Sequence, residues 1–389
     1  MKRKYAVTAW VLSFVILSIT GCGKKPDEKV QIVEIEGIRH VMNPSSPLKG
    51  TILLNLEKTL EIDPYEHEEV GLKVVRYRRD TDGEIIMFDP NLAEAHRFNS
   101  AGEYLGNLIR AGQGPGEFTK FQGLTAHYMN DQIWATSLFK VAGFDKQGNL
   151  LEDKKLPLGA FHVIDVLVDD SHYIALNAKS GDEGQMRSII LVDFSGEKRR
   201  EQVVYYSTIQ EWLITDSVKM FTSDFPSVTP EILYAFNKTT NSVAVGLNME
   251  YKITIKNLQG QTQYVIERPM EHVHLSIEDK KKMIKWDPDI EFKKWQLSVH
   301  PDNMAAIQEI NALPSGYLAV SRITGPGETE VDVFDPDGKY IYILKTEKGV
   351  SLDGAEFYDF GFGKLEERND LYIYVEYRIK NLPEIFINN

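Results

Sequence analysis

The sequence predicts an all-β chain, a six-bladed β-propeller with four antiparallel strands per blade, closed by an N-terminal strand in the last blade. Three observations predict it. Short β-prone runs recur in groups of four between turns rich in Asp, Asn and Gly; the last group is one strand short; and a solitary apolar run stands before the first group. Glycine supplies accessible positive φ and Asp or Asn opens the turn, so repeated turn chemistry marks repeated small sheets.

The groups follow in order. The first places runs at 74–77, 84–88, 96–98 and 104–109 around Asp80-Thr81-Asp82-Gly83 and Asn99-Ser100-Ala101-Gly102. The second holds 121–128, 132–136, 141–144 and 150–156, and the third 161–168, 173–177, 187–194 and 202–206. The fourth holds 231–236, 242–245, 251–256 and 263–266, and the fifth 306–310, 317–323, 331–334 and 340–344. The sixth offers only 357–362, 371–377 and 384–387, so the run 51–56 is expected to supply its outer strand and close the ring. Closure of this kind removes exposed sheet edges, whereas an open solenoid would need terminal caps. The run 31–35 has no hairpin partner beside it and is expected to be covered by a distant element. Residues 271–304 interrupt the grammar as an insertion. There Ser276 followed by Asp279 can open a short helix with Ile277, Met283 and Ile284 as its apolar face, and Trp286 and Trp295 read as packing anchors or as stacking rings for carbohydrate.

The chain has 389 residues, 42% hydrophobic and 26% charged, which excludes wholesale disorder and a polytopic membrane protein. Lys2, Arg3 and Lys4 precede an apolar run at 6–17 and then Ile19-Thr20-Gly21-Cys22. That is the grammar of an export leader, giving a signal peptide at 1–21, a tether at 22–29 and the propeller at 30–389. The ending resembles the bacterial lipoprotein signal, which implies cleavage before Cys22 and lipid on its thiol. Cys22 is the chain's single cysteine, so no internal disulfide is available. A net charge of −13 argues against nucleic acid as a partner and against a polybasic membrane face. The expected membrane partner is therefore reached through lipid on Cys22. Gly23 lacks the aspartate that, by the same resemblance, implies inner-membrane retention. The expected location is the bacterial cell envelope, at the outer membrane and facing the periplasm or the cell surface.

The segment Arg110-Ala111-Gly112-Gln113-Gly114-Pro115-Gly116-Glu117-Phe118, with 98–105 and 37–44, resembles the connectors and outer hairpins of bacterial six-bladed β-propeller lipoproteins related to NHL-repeat and TolB-like propellers. In organisation the resemblance covers most of the mature chain; its specific motifs lie in the first third. It implies a secreted or surface-associated propeller and transfers no catalytic set.

Gly114-Pro115-Gly116-Glu117, before the second blade, and Gly325-Pro326-Gly327-Glu328, inside the fifth, fall on one propeller face by connectivity. They read as tight structural loops or as ligand contacts. The candidate binding face comprises Arg110, Gln113, Glu117, His127, Arg322 and Glu328, because Arg engages carboxylates bidentately while Gln and His pair with hydroxyls. The functional reading is a lipid-anchored binding module for a glycan, peptide or envelope protein, with no cofactor, metal ligand or catalytic residue assigned. The alternative is a metal-dependent lactonase or esterase-like hydrolase in the propeller channel. His272 and His274 lie one residue apart without a third ligand, and Ser45, Ser195 and Ser315 lack a nucleophile elbow. The glycines at 112–116 lack the Lys-Ser/Thr ending of a phosphate loop.

Overall fold

A computed structural model describes residues 29–129, 131–137, 139–155, 162–169, 172–181, 184–193, 200–209, 231–347 and 350–387. The leader and Cys22, with its expected lipid, lie outside the described residues. Four strands come first: β1 (Gln31–Ile35), β2 (Ile38–Met42), β3 (Thr51–Leu54) and β4 (Leu56–Ile62). Blade one then comprises β5 (Arg76–Arg79), β6 (Ile85–Asp89), β7 (Glu94–Phe98) and β8 (Tyr104–Ile109). Blade two comprises β9 (Thr125–Met129), β10 (Gln132–Ser137), β11 (Lys140–Asp145) and β12 (Leu150–Lys155). Blade three holds β13 (His162–Asp169), β14 (His172–Gly181), β15 (Gly184–Asp193) and β16 (Arg200–Ile209). Blade four holds β17 (Ile232–Asn237), β18 (Ser242–Leu247), β19 (Lys252–Asn257) and β20 (Thr262–Glu267). Two helices of the insertion follow, α1 (Ile277–Met283) and α2 (Glu291–Val299). Blade five is built on β21 (Ile307–Ala312), β22 (Leu318–Gly325), β23 (Glu328–Phe334) and β24 (Tyr340–Thr346), and blade six on β25 (Glu356–Phe357), β26 (Gly361–Arg368) and β27 (Leu371–Ile379).

The expected uniform four-stranded blades are overturned. The described strands form six sheets whose strand numbers, from blade one to blade six, are four, four, four, six, five and four. The extra strands come from the N-terminus. β2 adds in parallel to β20, β3 adds in parallel to β24, and β4 pairs antiparallel with β27. The closing strand is therefore Leu56–Ile62 and not 51–56. The reason is local: Leu56, Leu60 and Ile62 alternate toward blade six, while the Asn55 amide, held by the Asn381 carboxamide at 2.8 Å, separates β3 from β4. The run 31–35 does have a hairpin partner, since Glu36 and Gly37 both take positive φ (53° and 78°) and fold β2 back onto it. Two consecutive positive φ values are the signature of a tight hairpin whose twist suits its strands. In blade six, 357–362 splits between β25 and β26, and 384–387 forms a 3-10 turn at Glu384–Phe386 instead of a strand.

Turn chemistry fixes the outer hairpins. Asn99, Asp145, Asn257 and Asp335 open four-residue turns closed by Gly102, Gly148, Gly260 and Gly338 at φ between 74° and 86°. The opening side chain accepts from the amide four residues on, at Glu103, Asn149, Gln261 and Lys339. Each hairpin also carries a register shift beside its turn, which raises the local twist and lets neighbouring blades fan apart.

Between blades the core is apolar. Ile86, Phe88, Ala126, Ile133 and Phe144 join blades one and two, and Ile253, Ile255, Ile307, Val320 and Phe334 join blades four and five. In the insertion, Ser276 caps α1 in a reciprocal pair with Asp279. Met283 packs beside Leu275, Met304 and Ile323, and Ile284 is buried, whereas Ile277, read as part of the apolar face, is exposed.

His96 on β7 is fully buried. Its Nδ1 lies 3.0 Å from the Tyr104 hydroxyl, its Nε2 has no hydrogen-bond partner among the described residues, and burial pushes its pKa down to about 4. An unfolded chain binds the proton near 6.5, so the folded state holds fewer protons and stability drops as the pH is lowered between those values. Wild-type protein is expected to lose about 2 kcal/mol at this site between pH 7 and 5. His127 and His300, also lowered by burial, add in the same direction; Glu309 and Glu356, raised by burial, oppose it. Denaturant midpoints at the two pH values check this, with His96→Gln expected to show the smaller drop.

Candidate functional site

Among the described residues, the first strands of blades one, two, four, five and six or the residues beside them line a cavity of about 740 Å³. Its wall includes residues 75–79 of blade one, His127 and Tyr128 of blade two, 233–236 and Lys238 of blade four, 309–312 of blade five and 354–356 of blade six. The β-pleat decides which side chains reach it, because alternate residues of an inner strand face opposite sides. Arg79, for example, turns to Glu376 on β27 (Nε to Oε2, 2.6 Å) and stacks over Tyr358 and Phe360, so its charge is consumed at the junction of blades one and six. Arg76 is exposed, Arg78 half-buried, and Lys238 exposed just beyond β17.

Four groups from four blades share this space. Burial first, then the charges of Arg78 and Lys238, hold the His127 imidazole well below its ordinary value and therefore neutral. Burial raises the Glu356 carboxyl, against the opposing pull of Arg78, the Tyr358 hydrogen bond, Lys238 and Arg79. The same two cations act on both groups. His127 Nε2 lies 3.1 Å from the Thr125 hydroxyl, which is itself 2.7 Å from Thr136. From Glu356 a series of long hydroxyl contacts runs inward, Tyr358 at 3.4 Å, Tyr374 at 3.5 Å and Glu376 at 3.4 Å. Glu309, whose carboxyl burial also raises, accepts from the Gly354 amide at 3.2 Å. Among the described residues no three His, Cys, Asp or Glu side chains gather into a group that could hold a metal ion.

The six residues read from sequence are scattered. His127 lines the cavity. Arg110 and Gln113 are exposed in the connector between blades one and two. Glu117 folds back within that connector: its carboxylate accepts from the Gly114 amide at 2.8 Å and occupies the space a Cβ at Gly112 would need. Lys140 donates to the carbonyls of Gly114 and Glu117 and pairs with Asp153, whose Oδ2 also accepts from the Gly116 amide. Those bonds describe a braced turn. Glu328 stands exposed at the matching β22–β23 connection, while Arg322 lies between Glu330 and Asp332 in the wall of blade five. His274 meets Asn303 at 3.3 Å. Arg78, Lys238, Glu309 and Glu356 escaped the sequence reading; the available signal was charge inside or beside the first strand of a blade, where packing alone favours β-branched and aromatic residues.

A family model described as a 6-bladed beta-propeller matches residues 67–237, less than half of the chain. The sequence has no match among curated proteins. Among solved structures, a Bacteroides vulgatus protein is similar at 11% identity and a TM-score of 0.51, over 84% of this chain and 99% of that one. A Bacteroides fragilis protein regarded as exported is similar at 13% identity and a TM-score of 0.47, over 87% and 99%. Virginiamycin B lyase from Staphylococcus aureus is similar at 9% identity and a TM-score of 0.42, over 83% and 99%. The likeness to the Bacteroides vulgatus protein shows the propeller fold and nothing finer. The family resemblance read over most of the chain is thus corrected to a distant and partial one. Neither the structure nor these neighbours carries the lipoprotein, TolB-like or outer-membrane grouping expected from sequence.

Proposed function

We propose that this propeller binds a small molecule in its central channel, with the domain exported from the cytoplasm by the leader at 1–21. The observation that supports the channel is the cavity of about 740 Å³, inside the range of small-molecule sites, with polar groups from several blades on one wall. The exposed glycine-proline loops serve the fold, as the bracing of Glu117 indicates. Asn311→Trp, which fills the channel from β21, is expected to abolish ligand binding in calorimetric titration while leaving the melting temperature within a few degrees. Equal binding by wild type and a folded Asn311→Trp protein would overturn the channel as the site.

A second reading, catalysis in the same channel, is favoured by one observation: a carboxyl, Glu356, whose pKa burial raises lines the same cavity as an imidazole, His127, whose pKa burial lowers. A buried carboxyl with a raised pKa can deliver a proton and a neutral imidazole can receive one. Hydrolysis of ester and lactone substrates that survives Glu356→Gln unchanged would remove this reading.

A further inference from the structure

We propose that β1 is a docking edge for a second copy of this chain, the two β1 strands pairing antiparallel about a two-fold axis at Val33. The six-stranded sheet of blade four ends on β1, and among the described residues no other strand pairs with its outer edge. All five of its residues are exposed, with Ile32 at 56%, Val33 at 38% and Ile35 at 47%. Successive side chains point to opposite faces, so exposure of every one means that β1 stands clear of the ring on both sides. Other outer strands carry the usual defences against pairing with a second molecule. β8 is interrupted by two register shifts against β7, and β12 ends in Lys154 and Lys155. β1 runs in unbroken register with no proline and no lysine, and three of its five residues are β-branched.

Hydrogen bonding and side-chain order select the occupant. In a two-residue hairpin the residues flanking the turn exchange hydrogen bonds, here Ile35 with Ile38, and alternation then directs the N–H and C=O groups of Gln31, Val33 and Ile35 to β2. Those of Ile32 and Glu34 point outward. An axis at Val33 sets the outward groups of Ile32 against those of the partner's Glu34, and the reverse, so donors meet acceptors along both strands. The side chains agree with this register: Val33 meets the partner's Val33, Gln31 meets the partner's Ile35, and no glutamate lies directly opposite another. Charge fixes the direction. Lys29 precedes the strand and Glu36 follows it, so antiparallel pairing brings the basic start of one copy beside the acidic end of the other, whereas parallel pairing would set like beside like. An edge of five residues is small beside a standard interface of ~1,600 Å², so the dimer is expected to depend on concentration.

The test uses the full chain. Sedimentation velocity over a concentration series is expected to show a reversible monomer–dimer equilibrium. Val33→Lys sets two ammonium groups opposite each other at the axis, and Glu34→Pro removes an outward N–H that β2 does not use. Each is expected to raise the dissociation constant at least tenfold with the melting temperature unchanged, because both positions are exposed. In a Cys22→Ser background, Val33→Cys is expected to give a disulfide-linked dimer on oxidation with diamide, since opposed residues of a non-hydrogen-bonded pair lie at ~4.5 Å between Cα atoms, within disulfide reach. Gln31→Cys in the same background, displaced along the strand from its own copy, is expected to remain unlinked. A chain that is monomeric throughout the series overturns the proposal. So does a dimer that survives unchanged in folded Val33→Lys and Glu34→Pro proteins, which would place self-association on the leader or another surface. Cross-linking of Gln31→Cys as fast as Val33→Cys overturns the register about Val33.

Discussion

Replacement of Asp332 by alanine is expected to lower the unfolding free energy by about 3–5 kcal/mol, the usual cost of removing one member of a buried charged cluster. Asp332 on β23 is fully buried and accepts from the Tyr251 hydroxyl at 2.7 Å, the Tyr340 hydroxyl at 2.7 Å, Arg268 at 2.8 Å and Arg322 at 3.1 Å. Tyr251 and Arg268 belong to the blade-four side; Arg322, Asp332 and Tyr340 belong to blade five. Arg268 also donates to the Ser45 carbonyl at 2.6 Å, which ties the N-terminal segment to the same cluster. Burial and the Asp332 charge keep both tyrosines protonated, so their hydroxyls remain donors. Alanine would leave two guanidinium groups facing each other without their shared carboxylate, with only Glu330 still beside Arg322. An asparagine side chain has the shape of the aspartate and keeps one carbonyl oxygen as an acceptor, so Asp332→Asn is expected to cost less than Asp332→Ala. Denaturant titration of the three proteins checks the order; a loss under about 1 kcal/mol for alanine would mean that the cluster is replaceable by packing, as some buried ion networks are.

Arg322 shows why the fold was more legible than the site. Turn residues report local backbone needs, and Asn99, Asp145, Asn257 and Asp335 could be found without knowing what packs against them. The destination of an arginine depends on a partner strand, and Arg322 reads the same whether it meets a ligand or Asp332. The channel groups pose the same difficulty in reverse: Arg78, Lys238 and Glu356 come from blades separated by more than a hundred residues of chain, so no spacing rule joins them. At the N-terminus the obstacle was register. The alternation of Leu56, Leu60 and Ile62 continues the apolar run that begins at Thr51, and only the break at Asn55 assigns one half to blade five and the other to blade six.

That division sets the outcome of N-terminal truncation. The first 62 residues include three successive edge-pairing strands: β2 on blade four, β3 on blade five and β4 on blade six. A chain starting at Ser46 loses β1 and β2, which cover the edge of β20, together with the Asn43 contacts to Gly338 and Tyr340 and the Ser45 carbonyl that accepts from Arg268. It is expected to remain folded with a modestly lower melting temperature, because β19 and β20 keep their own pairing. A chain starting at Pro64 loses β3 and β4. It gives up the ladder along β27 and the side chains of Leu54 and Ile62, both buried in the joints of the ring, with partly buried Leu60 beside them. Losing each large buried apolar side chain costs ~2–5 kcal/mol, against ~5–15 kcal/mol of total stability for a typical domain. The unpaired edge of β27 is then free to join another chain. The longer truncation is therefore expected to abolish the cooperative thermal transition and to elute as aggregate in size-exclusion chromatography. A sharp transition in the chain starting at Pro64 would show that blade-to-blade packing holds the ring without its closing strand.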